Sequence, residues 1–190
     1  PDLVILATNQ KAQIEPFRRL GLPVFYNREP DSVAGVLVNV RLLGRMTGHV
    51  AEAEALATQM QRRIDALTTT IADVSQGPKV FYELSDSLYT ASPNTFIGGM
   101  LAALKARNIA QGASSPFPQV TAESVIAGAP DVILLADHGF GGAPAQVRAR
   151  PGWASIPAVQ QGRLYPVDSD LVNRPGPRIV EGIDRKSTRL

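Results

Sequence analysis

Three short stretches concentrate side chains able to hold a ligand, and none has the spacing of a catalytic or metal-binding constellation. The first runs from Glu83 to Thr95 and contains Leu84 and Tyr89; the second is Ser114-Ser-Pro-Phe-Pro-Gln119; the third is Asp168-Ser-Asp-Leu-Val-Asn-Arg174, with Asp170 inside it. Phe117, between two prolines, is held in an extended, stiff segment and suits an aromatic wall; packing onto its own domain is the competing reading. Arg174 offers a planar guanidinium fork to carboxylate, amide or hydroxamate oxygens, against the reading of a plain surface arginine. The two histidines, His49 and His138, stand far apart and there is no cysteine, so a metal site would need carboxylates, and no ligand spacing suggests one. Gly139-Phe-Gly-Gly-Ala-Pro144 follows a strand as a dinucleotide fingerprint would, but Pro144 occupies the position of the third glycine. There is no Gly-x-Ser-x-Gly elbow and no phosphate-binding loop. The pattern describes holding, without catalysis.

The elements that must position these stretches read as α/β. Pro1-Asp-Leu-Val-Ile-Leu-Ala7 returns almost unchanged as Pro130-Asp-Val-Ile-Leu-Leu-Ala136, each a continuous apolar run of the kind a parallel strand covered on both faces requires. Each is followed by helical sequence and a second short strand, Leu22 to Tyr26 or Arg163 to Val167, which favours two related lobes with the paired strands in different sheets. Between them Ala53, Leu56, Met60, Ile64, Leu67, Ile71 and Val74 mark one face of a helix from about His49 to Val74, about 37 Å long. Such a helix suits a strut between lobes; a long crossover within one sheet is the alternative. A helix from Asp31 or Ser32 to Met46 precedes it across Gly48. Further on, Lys79 to Leu84 reads as a strand, Asn94 to about Ala106 as a helix capped by Asn94, Thr121 to Ala129 as a helix, and Ser155 as the cap of a short helix ending at Gly162. The last helix starts within Pro175-Gly-Pro-Arg178.

Composition narrows the class. Hydrophobic residues make up 44% of the 190, enough for buried cores, and no apolar run approaches the length of a membrane span. The net charge of +2 owes everything to Arg185, Lys186 and Arg189; without the last six residues it falls to −1, which argues against nucleic-acid binding. Pro1 opens directly into a strand, and the expectation is that a signal region and the start of the first lobe precede it.

Several segments together resemble the helical-backbone solute-binding proteins, which capture vitamin B12, ferric siderophores or haem for ABC importers. They are Pro1-Asp-Leu-Val-Ile5; Leu43-Gly-Arg-Met-Thr-Gly48; Thr95-Phe-Ile97 with Asn108-Ile-Ala110; Val120-Thr-Ala-Glu-Ser-Val125 leading into Pro130-Asp-Val-Ile133; and Pro151-Gly-Trp153, Ile156-Pro-Ala-Val159, Gly162-Arg-Leu-Tyr165 and Arg174-Pro-Gly-Pro-Arg178. The resemblance implies two Rossmann-like lobes bridged by a long backbone helix, with the first lobe truncated: residues 1–48 the remainder of the N-lobe, 49–75 the interlobe helix, 76–184 the C-lobe and 185–190 a foreign tail. It implies a non-enzymatic receptor, resident in the periplasm or anchored outside the cytoplasm. The receptor is monomeric, without a cofactor, and its ligand is cobalamin or a ferric chelate. Its partners are a permease, the permease's ATPase and the small chelate. By the same resemblance Phe117, Asp170 and Arg174 face the ligand and Glu123 docks on permease arginines; Tyr89 and Leu84 join the ligand-binding candidates from the Glu83 to Thr95 stretch. Ala7 stands where the B12 receptors have a tryptophan, which leaves a siderophore or another corrinoid as open as cobalamin. A Rossmann-like enzyme of the nucleotide-sugar transferase type and a receptor for free metal ions are the alternatives.

Overall fold

The computed structural model describes residues 1–137 and 143–187, with the side chains of 185–187 left aside. By packing, the chain divides into Pro1–Pro30 and Asp31–Leu190. The Gly139 loop falls mostly on residues 138–142 and, like the last three residues, lies outside the described residues.

In the first unit, strand β1 (Val4–Leu6) is followed by a 3-10 turn (Thr8–Gln13), helix α1 (Ile14–Arg19) and strand β2 (Val24–Tyr26). β1 and β2 pair in parallel, Val4 opposite Val24. Gly21, at φ +72°, takes the left-handed conformation that ends α1 and lets the chain turn into β2. The Tyr26 hydroxyl donates to the Thr8 carbonyl at 3.0 Å, fixing the start of the crossover.

The second unit opens with α2 (Val33–Thr47) and α3 (Val50–Thr69), then β3 (Lys79–Glu83), α4 (Phe96–Ala103), β4 (Arg107–Asn108), α5 (Ala122–Gly128) and β5 (Val132–Leu135). It closes with α6 (Pro144–Arg148), a 3-10 turn at Trp153–Ser155, α7 (Pro157–Gln160), β6 (Leu164–Pro166), α8 (Ser169–Val172) and α9 (Ile179–Ser187). Its four strands form a parallel sheet in the order β4-β3-β5-β6. The near-repeat strands of the sequence thus stand in different sheets, as expected.

Strand periodicity sorts the apolar runs onto two layers. Val80, Tyr82, Val132, Leu134 and Ala136 join one core with α2, α3, α4, α8 and α9. Phe81, Ile133, Leu135 and Leu164 join a second with Val125, Val147, Trp153 and Ile156. A sheet covered on both faces explains why β3 and β5 read as unbroken hydrophobic stretches.

α2 begins where Ser32 Oγ accepts from the Gly35 N–H and ends at Gly48, φ +77°. The tight turn folds α3 back on it, burying Val36, Leu37 and Val40 of α2 with Ala53, Ala57, Met60 and Ile64 of α3. The packing boundary lies at Pro30 and Asp31, and the apolar face of α2 is buried in the second unit's own core. α3 stops at Thr69, short of Val74, and spans about 30 Å. Thr68, Thr69 and Thr70 each turn a hydroxyl onto a carbonyl three or four residues back, which competes with continued helix. Lys105 then donates to the carbonyls of Ala72 and Val74.

Smaller expectations shift by a residue or two. Thr95, not Asn94, caps α4, accepting from Gly98 at 3.0 Å. Ser155 instead donates to the Gly152 carbonyl, and Pro157 opens α7 after Ile156. None of the helices described is long and apolar enough to cross a membrane.

Candidate functional site

The order β4-β3-β5-β6 creates one place where neighbouring strands part company. After β3 the chain crosses to β4 on one side; after β5 it crosses to β6 on the other. In open parallel sheets the crevice at the carboxyl ends of two such strands is where ligands sit. Here it holds a cavity of about 320 Å³, lined by Leu84, Ser85 and Asp86 after β3, Ala136 and Asp137 after β5, and Ser169 and Asn173 of the α8 segment. That volume is at the low end for a small-molecule site, so it fits an edge of a large ligand.

Asn173 is the keystone of the crevice. Its Oδ1 accepts from the buried Tyr82 hydroxyl of β3 at 2.7 Å, and its Nδ2 donates to the Ala136 carbonyl after β5 at 3.4 Å. α8 is placed by Asp168, whose Oδ1 accepts from the Asp170 N–H at the helix start. Burial holds the Tyr82 phenol well above its usual pKa, so it remains a donor.

Behind the crevice Glu83 ends β3 fully buried, both carboxylate oxygens held by the Arg150 fork at 2.6 and 2.7 Å. The guanidinium also lies 4.5 Å from the centre of the Trp153 ring, which meets Phe81 edge-on. Burial raises the Glu83 carboxyl above the ordinary glutamate value, the Arg150 contact pulls it back, and Asp137 and Asp86 push it up again. Among the described residues, Glu83, Asp137 and Asp86 all feel the Arg150 guanidinium.

The residues singled out in the sequence fall as follows. Leu84 lines the cavity and packs on the larger core. Asp170 and Arg174 sit beside the lining residues Ser169 and Asn173 and pair with each other at 2.9 Å, both exposed. Phe117 is half-buried against the larger core. Tyr89 is exposed and belongs to the segment that runs beside 116–120: Thr90 donates to the Pro118 carbonyl, Ser92 to Pro116, and Val120 to Leu88. The fold thus joins the Tyr89 and Phe117 stretches in one ribbon.

Glu123 is exposed in the first turn of α5, where its own backbone N–H and the Thr121 hydroxyl hold its carboxyl below the usual value. Ser85, Asp86, Ser169 and Asn173 belong to stretches named in the sequence without being picked out; Asp137 was not in any of them. Its signal was available: it is the polar residue that ends the second Pro-Asp strand, at the carboxyl end where parallel sheets bind. Among the described residues no three His, Asp or Glu side chains are placed to hold a metal ion.

The model of the family described as periplasmic binding protein matches residues 1–171. A cobalamin-binding protein of Halobacterium salinarum is 34% identical over 97% of this chain and 52% of its own length. An ABC transporter substrate-binding lipoprotein of Bacillus subtilis, itself described as uncharacterized, is 30% identical over 97% of this chain and 60% of its own. Among solved structures, a periplasmic heme-binding protein from Roseiflexus superposes with a TM-score of 0.88 at 26% identity, covering all of this chain and 75% of that one. The chain spans about half the length of the curated relatives it matches.

Proposed function

The chain belongs to the periplasmic binding protein family, and from that premise we propose that it is the ligand-capturing component of an ABC importer. Its ligand is a cobalamin-like compound or an iron chelate, seated at the β3–β5 crevice, and no bond is made or broken. The observation that carries the reading is that crevice: a topological switch point with a cavity ringed by hydroxyl, amide and carboxylate groups. The names of the relatives support the ligand class, one being a cobalamin-binding protein and another structure a heme-binding one. The partners in this reading are a permease with its ATPase, and the site of action is outside the cytoplasm, as suits a lipoprotein relative.

Leu84 contributes to the floor of the site. Phe117 and Tyr89, joined in one ribbon, supply aromatic edges near it. Arg174 supplies the fork. Its exposed pair with Asp170 is of the kind worth about 0.2–1 kcal/mol, so exchanging Asp170 for a ligand oxygen costs little, while a charge-assisted bond returns about 1.5–3 kcal/mol.

Calorimetric titration with cyanocobalamin, haemin and ferrioxamine B tests the reading. Saturable one-to-one binding of one of them is expected, weakened about tenfold or more in Arg174→Ala with no change in melting temperature. Failure of all three to bind refutes it, and unchanged affinity in the variant removes Arg174 from the site.

A further inference from the structure

We propose that Tyr82, a tyrosine shut off from solvent, is a positioning residue for ligand capture: through Asn173 it sets where Arg174 stands. The inference rests on the receptor reading and adds to it a residue that cannot itself touch the ligand.

The Tyr82 ring lies in the larger core with Val80, Leu134 and Ala136. A phenylalanine would fill the same apolar space, and a hydroxyl taken into such surroundings costs stability unless it is bonded. The phenol donates across 91 residues of sequence to the Asn173 Oδ1 at 2.7 Å. The other end of that amide, Nδ2, donates to the Ala136 carbonyl at 3.4 Å. Turned over, the amide would set its oxygen against the Ala136 oxygen, so its two partners fix one orientation. The Ala136 N–H donates in turn to the Glu83 carbonyl at 2.9 Å, and Glu83 follows Tyr82 in β3. These bonds close a ring from Tyr82 through Asn173 and Ala136 to Glu83, and the ring pins the end of α8 to both strands of the crevice.

Arg174 is the next residue after this anchor. The Asn173 N–H donates to the Ser169 carbonyl at 2.9 Å, and the Arg174 carbonyl accepts from the Gly176 N–H at 2.8 Å, so the backbone is held on both sides of the fork. α8 itself is four residues long, too short to keep its own direction. Leu171 and Val172 hold it on the core. Behind it Gly182 of α9 packs so closely that a Cβ there would stand 2.9 Å from the Leu171 carbonyl oxygen. Those contacts set the depth of α8, while the ring sets the point over the crevice from which the exposed Arg174 fork leaves. Losing the phenol oxygen therefore loosens Arg174 without releasing the helix, and a fork that must find its angle on binding gives up the advantage of preorganisation.

Tyr82→Phe in the full chain tests this in two steps. In the ligand-free protein the amides of Asn173 and Gly176 should exchange with deuterium about threefold or more faster in the variant, while those of Val132–Leu135 keep the parent's rates. Equal rates at Asn173 and Gly176 overturn the latch whatever the ligand is. Whichever of cyanocobalamin, haemin and ferrioxamine B binds is then titrated into the parent, Tyr82→Phe, Arg174→Ala and the double variant. Tyr82→Phe should weaken binding about fivefold in the parent and by less than about twofold in the Arg174→Ala background, because the hydroxyl acts through Arg174.

An equal loss in both backgrounds, or no loss in either, makes Tyr82 a structural tyrosine only and leaves the receptor reading standing. Should Tyr82→Phe fail to fold, Asn173→Leu, which removes the same acceptor, enters the same cycle under the same criteria. Absence of binding by all three probes overturns the receptor reading and the role of the latch with it, whatever the exchange rates show.

Discussion

Among the described residues, Arg150 is the cation that answers a fully buried glutamate. Removing one partner of such a pair leaves an uncompensated charge, which costs about 3–5 kcal/mol, whereas replacing both by shape-matched neutral groups is close to neutral. Arg150→Met should therefore lower the stability of the second unit by about 3–5 kcal/mol in urea denaturation, and adding Glu83→Gln should restore most of it. If Arg150→Met alone is harmless, the fork is ornamental. Nothing in the sequence announced this pair, because 67 residues separate its members and an arginine in a loop looks like any other. The stretches holding Leu84, Asp170 and Arg174 were legible as polar clusters. Which of their members line the crevice was not, since the phase of α8 depends on Asp168 capping a helix of only four residues, too short to show a period.

At the scale of elements, the hairpin of α2 and α3 is the tightest joint in the fold. A methyl group on Gly44 would stand 2.1 Å from the Ala53 Cβ and 2.9 Å from the His49 carbonyl oxygen. Alanine in a helix interior ordinarily gains about 1 kcal/mol over glycine; here overpacking of about 1–3 kcal/mol opposes it, and backbone on one side gives the neighbours little room to yield. Gly44→Ala should be destabilising on balance, and Ala53→Gly in the same chain should recover part of the loss; a single variant as stable as the parent would show that the helices separate freely. The apolar stripe made α3 readable from sequence, and the N-cap candidates Asp31 and Ser32 together with Gly48 made α2 readable. The end of α3 was not, because the stripe continues to Val74 while three threonine hydroxyls in succession stop the helix at residue 69. Amphipathicity says that a face is buried, not against which core.

For the whole molecule, the ordered α/β pattern and the two Pro-Asp strands were enough to read parallel sheets and their separation. The crossover that makes β3 and β5 neighbours was beyond sequence, since it depends on β4 taking the outer edge. Docking is a property of the same whole. Glu123, exposed and ionised at the start of α5, is where we place the contact with permease arginines. Such a contact accelerates encounter more than it deepens affinity and fades with salt. Glu123→Ala should leave ligand binding unchanged and slow association with the transporter several-fold at low ionic strength, as read by surface plasmon resonance on permease in nanodiscs; equal rates would reduce Glu123 to a helix-end charge. The chain also carries its own optical gauge. Its single tryptophan, Trp153, lies 1% exposed in the second layer, beneath the guanidinium that binds Glu83. Tryptophan emission, excited at the red edge where tyrosine does not absorb, is thus a signal from one address: it shifts red when water enters that layer, responds to the end of β3 through Arg150, and leaves the first thirty residues dark.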